Sequence, residues 1–161
     1  MLNKMDFKME RVINILDYLY TIYPNSGQLS ISRVMKLLYL IEWRFAINKF
    51  EKLTDIEWNL SQYGPFYKNL RSIFNESSNF DVSVRFDENN KEQLIIKFLD
   101  KKGVENLSDR TKEVIDFVVN HCKNYSWSEL NNLVNSTYAV LNSKEGQLID
   151  LVKLAKDYRK R

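Results

Sequence analysis

The residues whose types could support chemistry most directly are His121 and Cys122, because a histidine beside a thiol can activate it as a nucleophile. Adjacent side chains on a helix point about 100° apart, so these two would rarely share a hydrogen bond. The chain has one histidine and one cysteine, whereas a zinc site takes about three or four protein ligands. We therefore predict that His121 is satisfied locally or faces solvent, that Cys122 fills the core, and that the protein binds no metal and no cofactor.

Asp55 and Glu57 are the other candidates for chemistry, since two carboxylates on one strand face can act as an acid–base pair. The polar face of a half-buried strand explains their spacing more simply. No nucleophile set and no phosphate-binding loop accompanies them in the sequence. We therefore predict that the protein is not an enzyme.

Side chains suited to recognition are concentrated between residues 43 and 71. Trp, Tyr and Arg are the residue types that most often anchor protein interfaces, and this segment is rich in them. We expect at least half of its aromatic and basic candidates to pack in the core, and Arg44, Tyr67 and Arg71 to be exposed. The candidate partner-binding residues are Trp43, Arg44, Trp58, Tyr63, Gly64, Pro65, Phe66, Tyr67 and Arg71.

Length and composition bound the class of protein. A chain of 161 residues is long enough for one domain with a proper core, and we assign residues 1–161 to a single domain. With four glycines, two prolines and 13% aromatic residues, a disordered chain and a many-turned all-β fold are both disfavoured. The net charge of +3 is too small to indicate a nucleic-acid scaffold.

The sequence predicts a cytoplasmic protein that does not enter membranes. A lone cysteine suits a reducing compartment, because it has no partner for an internal disulfide. Residues 1–20 carry charges throughout and lack the apolar core of a signal peptide. No segment reaches the ~18 apolar residues of a membrane span.

Several helices must position these residues. Apolar side chains at intervals of three and four predict helices over residues 8–23 and 31–48. The second is apolar on more than one face, which is typical of a central, buried helix. Ser108 and Ser126 are suited to cap two later helices, and we expect the second of these to continue to Leu141.

The segment after the central helix is predicted to be extended. Residues 54–60 alternate between apolar and polar types, which indicates a strand half in the core. Gly64 is expected where φ is positive or where a side chain would clash. Pro65 suits the first position of a following helix, whose apolar stripe would run over residues 66–74.

Residues 80–99 change period and predict a β-hairpin, because two alternating runs flank a polar turn. Residues 100–106 are expected to form a charged loop, and residues 148–158 a last helix. The fold class is therefore mainly α with a small β-hairpin (α+β), a compact helical domain around the central helix at about residues 31–48.

Five short segments form a combination that occurs in this order and at these gaps: residues 36–40 (KLLYL) with Trp43, 53–58 (LTDIEW), 63–65 (YGP), 127–138 (WSELNNLVNSTY) and 146–151 (GQLIDL). Together they resemble the Panacea domain of the SocA-like antitoxin family, which includes GepA-like phage-associated proteins. The resemblance covers roughly residues 12–158.

The resemblance implies a protein-binding module of bacteria or phage that neutralises a partner by direct contact. The partner implied is a cognate protein toxin encoded nearby, and one branch of the family implies a protease adaptor with a cytosolic protease as second partner. Self-association as a homo-oligomer is left open. The family's toxins differ widely, so the resemblance does not identify the toxin.

A winged-helix-like DNA-binding regulator is the alternative, because helices followed by a two-stranded hairpin can form that fold. A central apolar helix and a small net charge weigh against it, and nucleic acid is not the expected partner. Basic residues that would serve such a function are Arg33, Lys36, Arg44, Lys49 and Arg85.

Overall fold

The computed structural model describes residues 4–99 and 106–161, and it is mainly helical with two small antiparallel sheets. The helices are α1 Lys4–Ile22, α2 Ile31–Lys49, α3 Leu70–Glu76, α4 Asp109–Cys122, α5 Trp127–Asn135, α6 Tyr138–Leu141 and α7 Leu151–Arg159. The strands are β1 Asn59–Ser61, β2 Gly64–Phe66, β3 Phe80–Phe86 and β4 Glu92–Phe98. These elements confirm the predicted fold class. The predicted charged loop at residues 100–106 lies outside the described residues except for its last position.

Helix α2 is the central element, as its apolar pattern predicted. It begins after Ser30, whose side chain accepts a hydrogen bond from the Arg33 backbone N–H, and it ends at Phe50 in the left-handed conformation. It packs against α4, α5 and α7. Its buried positions lie on several faces, since they include Val34, Leu37, Leu38, Tyr39, Leu40, Ile41 and Trp43.

The prediction that Pro65 begins a helix is wrong. Pro65 lies in β2, opposite Leu60 of β1, and α3 begins only at Leu70. Proline is tolerated in a strand at an edge, where its missing N–H removes no ladder hydrogen bond. The turn between the strands is closed by the Ser61 hydroxyl, which donates to the Gly64 carbonyl oxygen at 2.8 Å.

The extended segment predicted over residues 54–60 is a regular strand only at its end, in β1. Its backbone pairs with a late part of the chain. The Trp58 carbonyl oxygen accepts from the Ile149 N–H at 2.8 Å, and the Leu60 N–H donates to the Gln147 carbonyl oxygen at 3.0 Å. These bonds also displace the predicted start of the last helix, so that α7 begins at Leu151 with Asp150 as its cap.

The helix opened by Ser126 is shorter than predicted. The capping box with Glu129 is present, because each residue's side chain accepts a hydrogen bond from the other's backbone N–H. The helix then ends at Asn135, where the Ser136 and Thr137 hydroxyls donate to carbonyl oxygens of the preceding turn. Such side-chain bonds compete with the helical backbone pattern, and α6 is therefore a separate turn.

The hairpin β3–β4 is confirmed, with Phe80 opposite Phe98 at its base and Phe86 opposite Glu92 near its tip. At the base, Phe80 packs edge-on against Tyr20 at a ring-centroid distance of 5.2 Å. Toward the tip, Phe86 is exposed. The base of the hairpin therefore packs against the helices, whereas the Phe86 ring near its tip faces solvent.

No helix in the described ranges is long and apolar enough to cross a membrane.

Glu42 is a buried acid on α2. The Thr54 hydroxyl donates a hydrogen bond to its carboxylate, and burial raises the pKa of Glu42 from 4.5 to about 7, which the Thr54 bond and Lys52 only partly oppose. A raised pKa means that the folded state holds this proton at pH values where the unfolded chain has released it. The free energy of unfolding should therefore fall as pH rises from about 4.5 to about 7.

We expect Glu42→Gln to be more stable than the parent protein at pH 8 by about 2 kcal/mol, and similar in stability at pH 4.5. Glutamine keeps an acceptor for the Thr54 hydroxyl and cannot ionise. Urea unfolding of both proteins at several pH values measures the difference. A difference that is constant from pH 4.5 to 8 would contradict the burial of a titrating carboxylate.

Candidate functional site

A groove of about 520 Å³ lies between the first turns of α2, the β1–β2 hairpin and the start of α5. We call it the corner groove. It brings together much of the predicted site, and the predicted residues that line it are Tyr63, Pro65, Phe66, Tyr67 and Arg71.

Three aromatic side chains on the walls of the corner groove are exposed to solvent. Tyr63, in the tight β1–β2 turn, is 76% exposed; Phe66, on the outward face of β2, is 46% exposed; Trp127, in the first turn of α5, is 48% exposed. Apolar surface of this kind, arranged around a concavity, is typical of a site that binds another molecule.

Gly64 fixes the geometry of the tight turn between β1 and β2. Its φ is +109°, a backbone conformation that residues other than glycine rarely adopt. A Cβ atom at this position would lie 2.6 Å from the Lys36 Nζ and 2.9 Å from the Asn135 Oδ1. The prediction for Gly64 is confirmed on both counts, because the hairpin turn lies directly against α2 and α5.

Lys36 places a cation at the floor of the corner groove. Its side chain is 5% exposed, and its ammonium donates to the Tyr63 carbonyl oxygen at 2.6 Å. The Nζ also lies 5.9 Å from the centre of the Trp127 ring. Burial lowers the pKa of Lys36 from its ordinary value, because desolvation disfavours the charged form.

Trp43 and Trp58 are buried, and the structure therefore removes them from the predicted recognition surface. Trp43 packs against Tyr158 at 6.1 Å between ring centroids. Trp58 is 1% exposed and contacts Tyr39 edge-on at 5.6 Å. Both side chains therefore belong to the core and are not available to a partner.

The prediction that at least half of the aromatic and basic candidates pack in the core is also wrong. Among the aromatic and basic candidates, only the two tryptophans are buried, which is fewer than half. Arg71 is exposed as predicted, whereas Arg44 and Tyr67 are half-buried. Tyr67 owes its partial burial to contact with the Trp58 ring, at a centroid distance of 6.1 Å.

Arg44 lies in a different place, a basic cleft of about 350 Å³ between α2, α4 and α7. Its guanidinium stacks over the Phe117 ring at 4.0 Å from the ring centre. Three further cations, Lys49, Arg110 and Arg159, line this cleft together with Glu113. Arg44 is therefore not part of the corner groove.

The predicted partner-binding residues did not include Lys36 or Trp127, and the sequence indicated Lys36 only as a basic residue for the DNA-binding alternative. Lys36 precedes Leu40 and Trp43 by four and seven residues on α2, and both of these are buried. A lysine on the inward face of an apolar helix is the signal that could have identified it. Trp127 follows directly after the Ser126 cap, where a large apolar side chain is seldom needed for a core.

The segments that carried the family resemblance meet in space. The Tyr39 hydroxyl lies 2.8 Å from the Thr137 Oγ1, although the two residues are 98 positions apart. Tyr39 also contacts Trp58, which is hydrogen-bonded through its backbone to Ile149. Trp58 in turn contacts the Tyr67 ring, which lines the corner groove, so the residues of these segments are connected to the wall of the site.

His121 and Cys122 do not form a nucleophilic pair. The exposed His121 ring stacks on Phe117, and its Nε2 lies 3.2 Å from the Tyr125 hydroxyl. Cys122 is buried, and burial raises the pKa of its thiol to about 11, with a smaller opposing effect of Arg33. In the part of the chain that the structure describes, no group of three or more His, Cys, Asp or Glu residues could hold a metal ion.

We expect the Cys122 thiol of the native protein to resist modification by a disulfide reagent at pH 8. The thiolate is the reactive species, and a buried thiol with a raised pKa supplies very little of it. The released chromophore is followed with time in native buffer and in guanidinium chloride, where the unfolded chain should react fully. Complete labelling of the native protein within minutes would contradict the burial of this thiol.

A protein-family model described as "Antitoxin SocA-like, Panacea domain" matches residues 34–139, which is more than half of the chain. The matched range includes α2 from its second turn, both hairpins and α5. Residues 146–151, which also carried the resemblance, lie outside it. The comparison with curated proteins and the comparison with solved structures gave no match.

Proposed function

Because this chain belongs to the SocA-like antitoxin family with a Panacea domain, we propose that it neutralises a partner toxin by binding it in the corner groove. The observation that carries the proposal is the set of exposed aromatic side chains, Tyr63, Phe66 and Trp127, around a concavity built on rigid elements. Interface anchors are typically large aromatic side chains of this kind.

The surroundings of the groove support this function. Its floor and one wall belong to α2 and α5, which pack against each other, and the Tyr39 hydroxyl of α2 also reaches Thr137, two residues after the end of α5. The other wall is the β1–β2 hairpin, which Lys36 fastens to α2. A site on such elements needs little ordering when the partner binds, which favours affinity.

The proposal is tested by co-expression with the toxin encoded next to this gene in its native host. Tyr63→Ala and Phe66→Ala are each expected to weaken the complex by about 2 kcal/mol, or about 30-fold, and to reduce rescue of growth. Phe117→Ala is the matched control, since it removes an aromatic ring of similar exposure from the basic cleft around Arg44. Binding of the purified complex is measured together with the melting temperature of each variant.

Two results would contradict the proposal. If both groove variants fold, bind and rescue growth as well as the control, the partner binds elsewhere on this chain. If the parent protein rescues growth from no neighbouring toxin, neutralisation itself is the wrong function.

The protease-adaptor activity and self-association belong to the same proposal. An adaptor would shorten the half-life of the toxin in cells, and this effect would disappear in a host that lacks the protease. A chain that neutralises by contact alone would leave the half-life of the toxin unchanged. Light scattering of the free chain measures whether it is a homo-oligomer.

DNA binding is retained as the alternative because of the basic cleft around Arg44 and Arg110. Phosphate contacts through a few cations give affinity that falls steeply with salt. Sequence-dependent retardation of DNA at physiological ionic strength would favour a regulator. Retardation that disappears at that salt concentration would indicate that the cleft is a solvated surface and not a specific DNA-binding site.

A further inference from the structure

The charged side chains that line the corner groove are all positive. The ionisable side chains of defined charge that line it are Lys36, Lys68 and Arg71, and none of its lining residues in the described ranges carries a carboxylate. One of its cations, Arg71, pairs with Glu92 at 4.0 Å, with both side chains largely exposed. An exposed pair of this length offsets little of the positive potential inside the groove.

Lys36 differs from the two rim cations because it is almost fully buried. An ammonium has three N–H donors, and the Tyr63 carbonyl oxygen accepts one of them. The Asn135 side-chain oxygen, another neutral acceptor, lies on the same side of Gly64. Among the described residues, no carboxylate forms an ion pair with Lys36. A buried cation held only by neutral acceptors is costly, and an anion that enters the groove reduces this cost.

We propose that Lys36 is the anion-binding group of the corner groove, and that the occupant is a protein segment that presents a carboxylate beside an aromatic or apolar side chain. This inference rests on the proposed function and specifies the chemistry of the partner at the same site. The carboxylate accepts from the Lys36 ammonium, while the adjacent side chain packs against Tyr63, Phe66 and Trp127.

Charge and shape together favour an acidic protein segment over a nucleic acid. A nucleic-acid backbone repeats its charge along its length and needs a row of exposed cations, as in the basic cleft around Arg44. The corner groove has a single deep cation with aromatic walls, which suits one carboxylate next to an apolar anchor. Lys68 and Arg71 at the rim would steer such a segment into place.

The first test compares two substitutions that each remove one lysine charge from this groove. Lys36→Met keeps the length and apolar stem of the side chain, and we expect it to weaken binding of the co-expressed toxin at least tenfold. Lys68→Met removes a rim cation, and we expect a change of less than threefold. Equal effects of the two variants would overturn a specific role for Lys36.

The second test uses two small probes and does not depend on the toxin, and its main comparison is made on the parent protein, so that comparison requires no variant to fold. N-acetyltryptophan carries an aromatic ring beside a carboxylate, and its primary amide differs only in that group. The Trp127 indole N–H resonance is followed by NMR as each probe is added. We expect the carboxylate probe to bind at least fivefold more tightly than the amide, and Lys36→Met to remove this preference.

The outcomes distinguish the proposal that Lys36 binds a carboxylate from the proposal that the protein neutralises a toxin. Equal binding of the two probes would overturn the carboxylate assignment, whether or not Tyr63→Ala and Phe66→Ala still weaken the toxin complex. Displacement of N-acetyltryptophan by an equal concentration of inorganic phosphate would overturn it in favour of a phosphate-bearing ligand. A carboxylate preference in a protein that rescues no toxin would support this inference while contradicting the proposed function.

Discussion

Gly64→Val is expected to lower the free energy of unfolding by about 3 kcal/mol. The φ of +109° at Gly64 is strained for any other residue, and a Cβ there would meet the Lys36 Nζ at 2.6 Å. Valine would therefore add backbone strain and push the ammonium away from the Tyr63 carbonyl oxygen. Because Lys36 is buried, loss of this hydrogen bond leaves a charged donor without compensation.

Substitutions at two other glycines separate the effect of backbone strain from the effect of the close contact with Lys36. Gly146 also has a positive φ, +87°, but a Cβ there has no atom within 4 Å, so Gly146→Val measures strain alone. Gly27 has neither a positive φ nor a close neighbour, so Gly27→Val should have little effect. Chemical denaturation of the three variants should rank Gly64 as the most sensitive position. A Gly64→Val variant no less stable than Gly146→Val would show that the corner is not held closely against α2.

Trp58→Ala is expected to cost about 4 kcal/mol, the largest effect of the substitutions considered. The Trp58 side chain is 1% exposed and lies between the rings of Tyr39 and Tyr67. Its removal leaves a large cavity at the place where α2, β1 and the start of α7 meet. The surrounding side chains belong to three separate elements and cannot all move to fill it.

Trp127→Ala is the matched control for Trp58→Ala. It removes the same side chain from a position that is 48% exposed, so less apolar surface is returned to water on unfolding. We expect a loss of about 1 kcal/mol, measured by urea unfolding under identical conditions. If both tryptophan variants lost equal stability, burial of the Trp58 ring would not be the source of its stabilising effect.

Much of the local structure follows from the sequence alone. Apolar intervals of three and four predict α2 as the buried central helix, and a period of two predicts the β3–β4 hairpin. Ser108 and Ser126 are followed by the helices that they were expected to cap. These features depend on residues a few positions apart, which is why a linear pattern contains them.

The membership of the chain in its family was also accessible from the sequence. The short segments quoted in the resemblance contribute Tyr39, Trp58 and Thr137, and Tyr39 contacts both of the other residues in the fold. A scaffold shared by a family keeps the residues that pack its elements together. Those residues are therefore visible as motifs even though their contacts are not.

The composition of the groove was decided only by the tertiary structure. The sequence predicts Pro65 at the start of a helix, yet it lies in β2 because Gly64 turns the chain back against β1 and α2. Trp43 and Trp58 were candidates for the surface, yet α7 and the segment at Ile149 cover them.

Lys36 illustrates why the sequence predicts the elements of the fold but not the composition of the groove. Its place on an inward face of α2 follows from helical periodicity, but its role depends on a carbonyl oxygen 27 residues away and on a ring from α5. Helices and turns are determined by neighbouring residues, whereas exposure, charge compensation and the shape of a groove depend on which distant elements pack against each other. The sequence by itself therefore determined the elements and the family, and tertiary packing decided which side chains form the site.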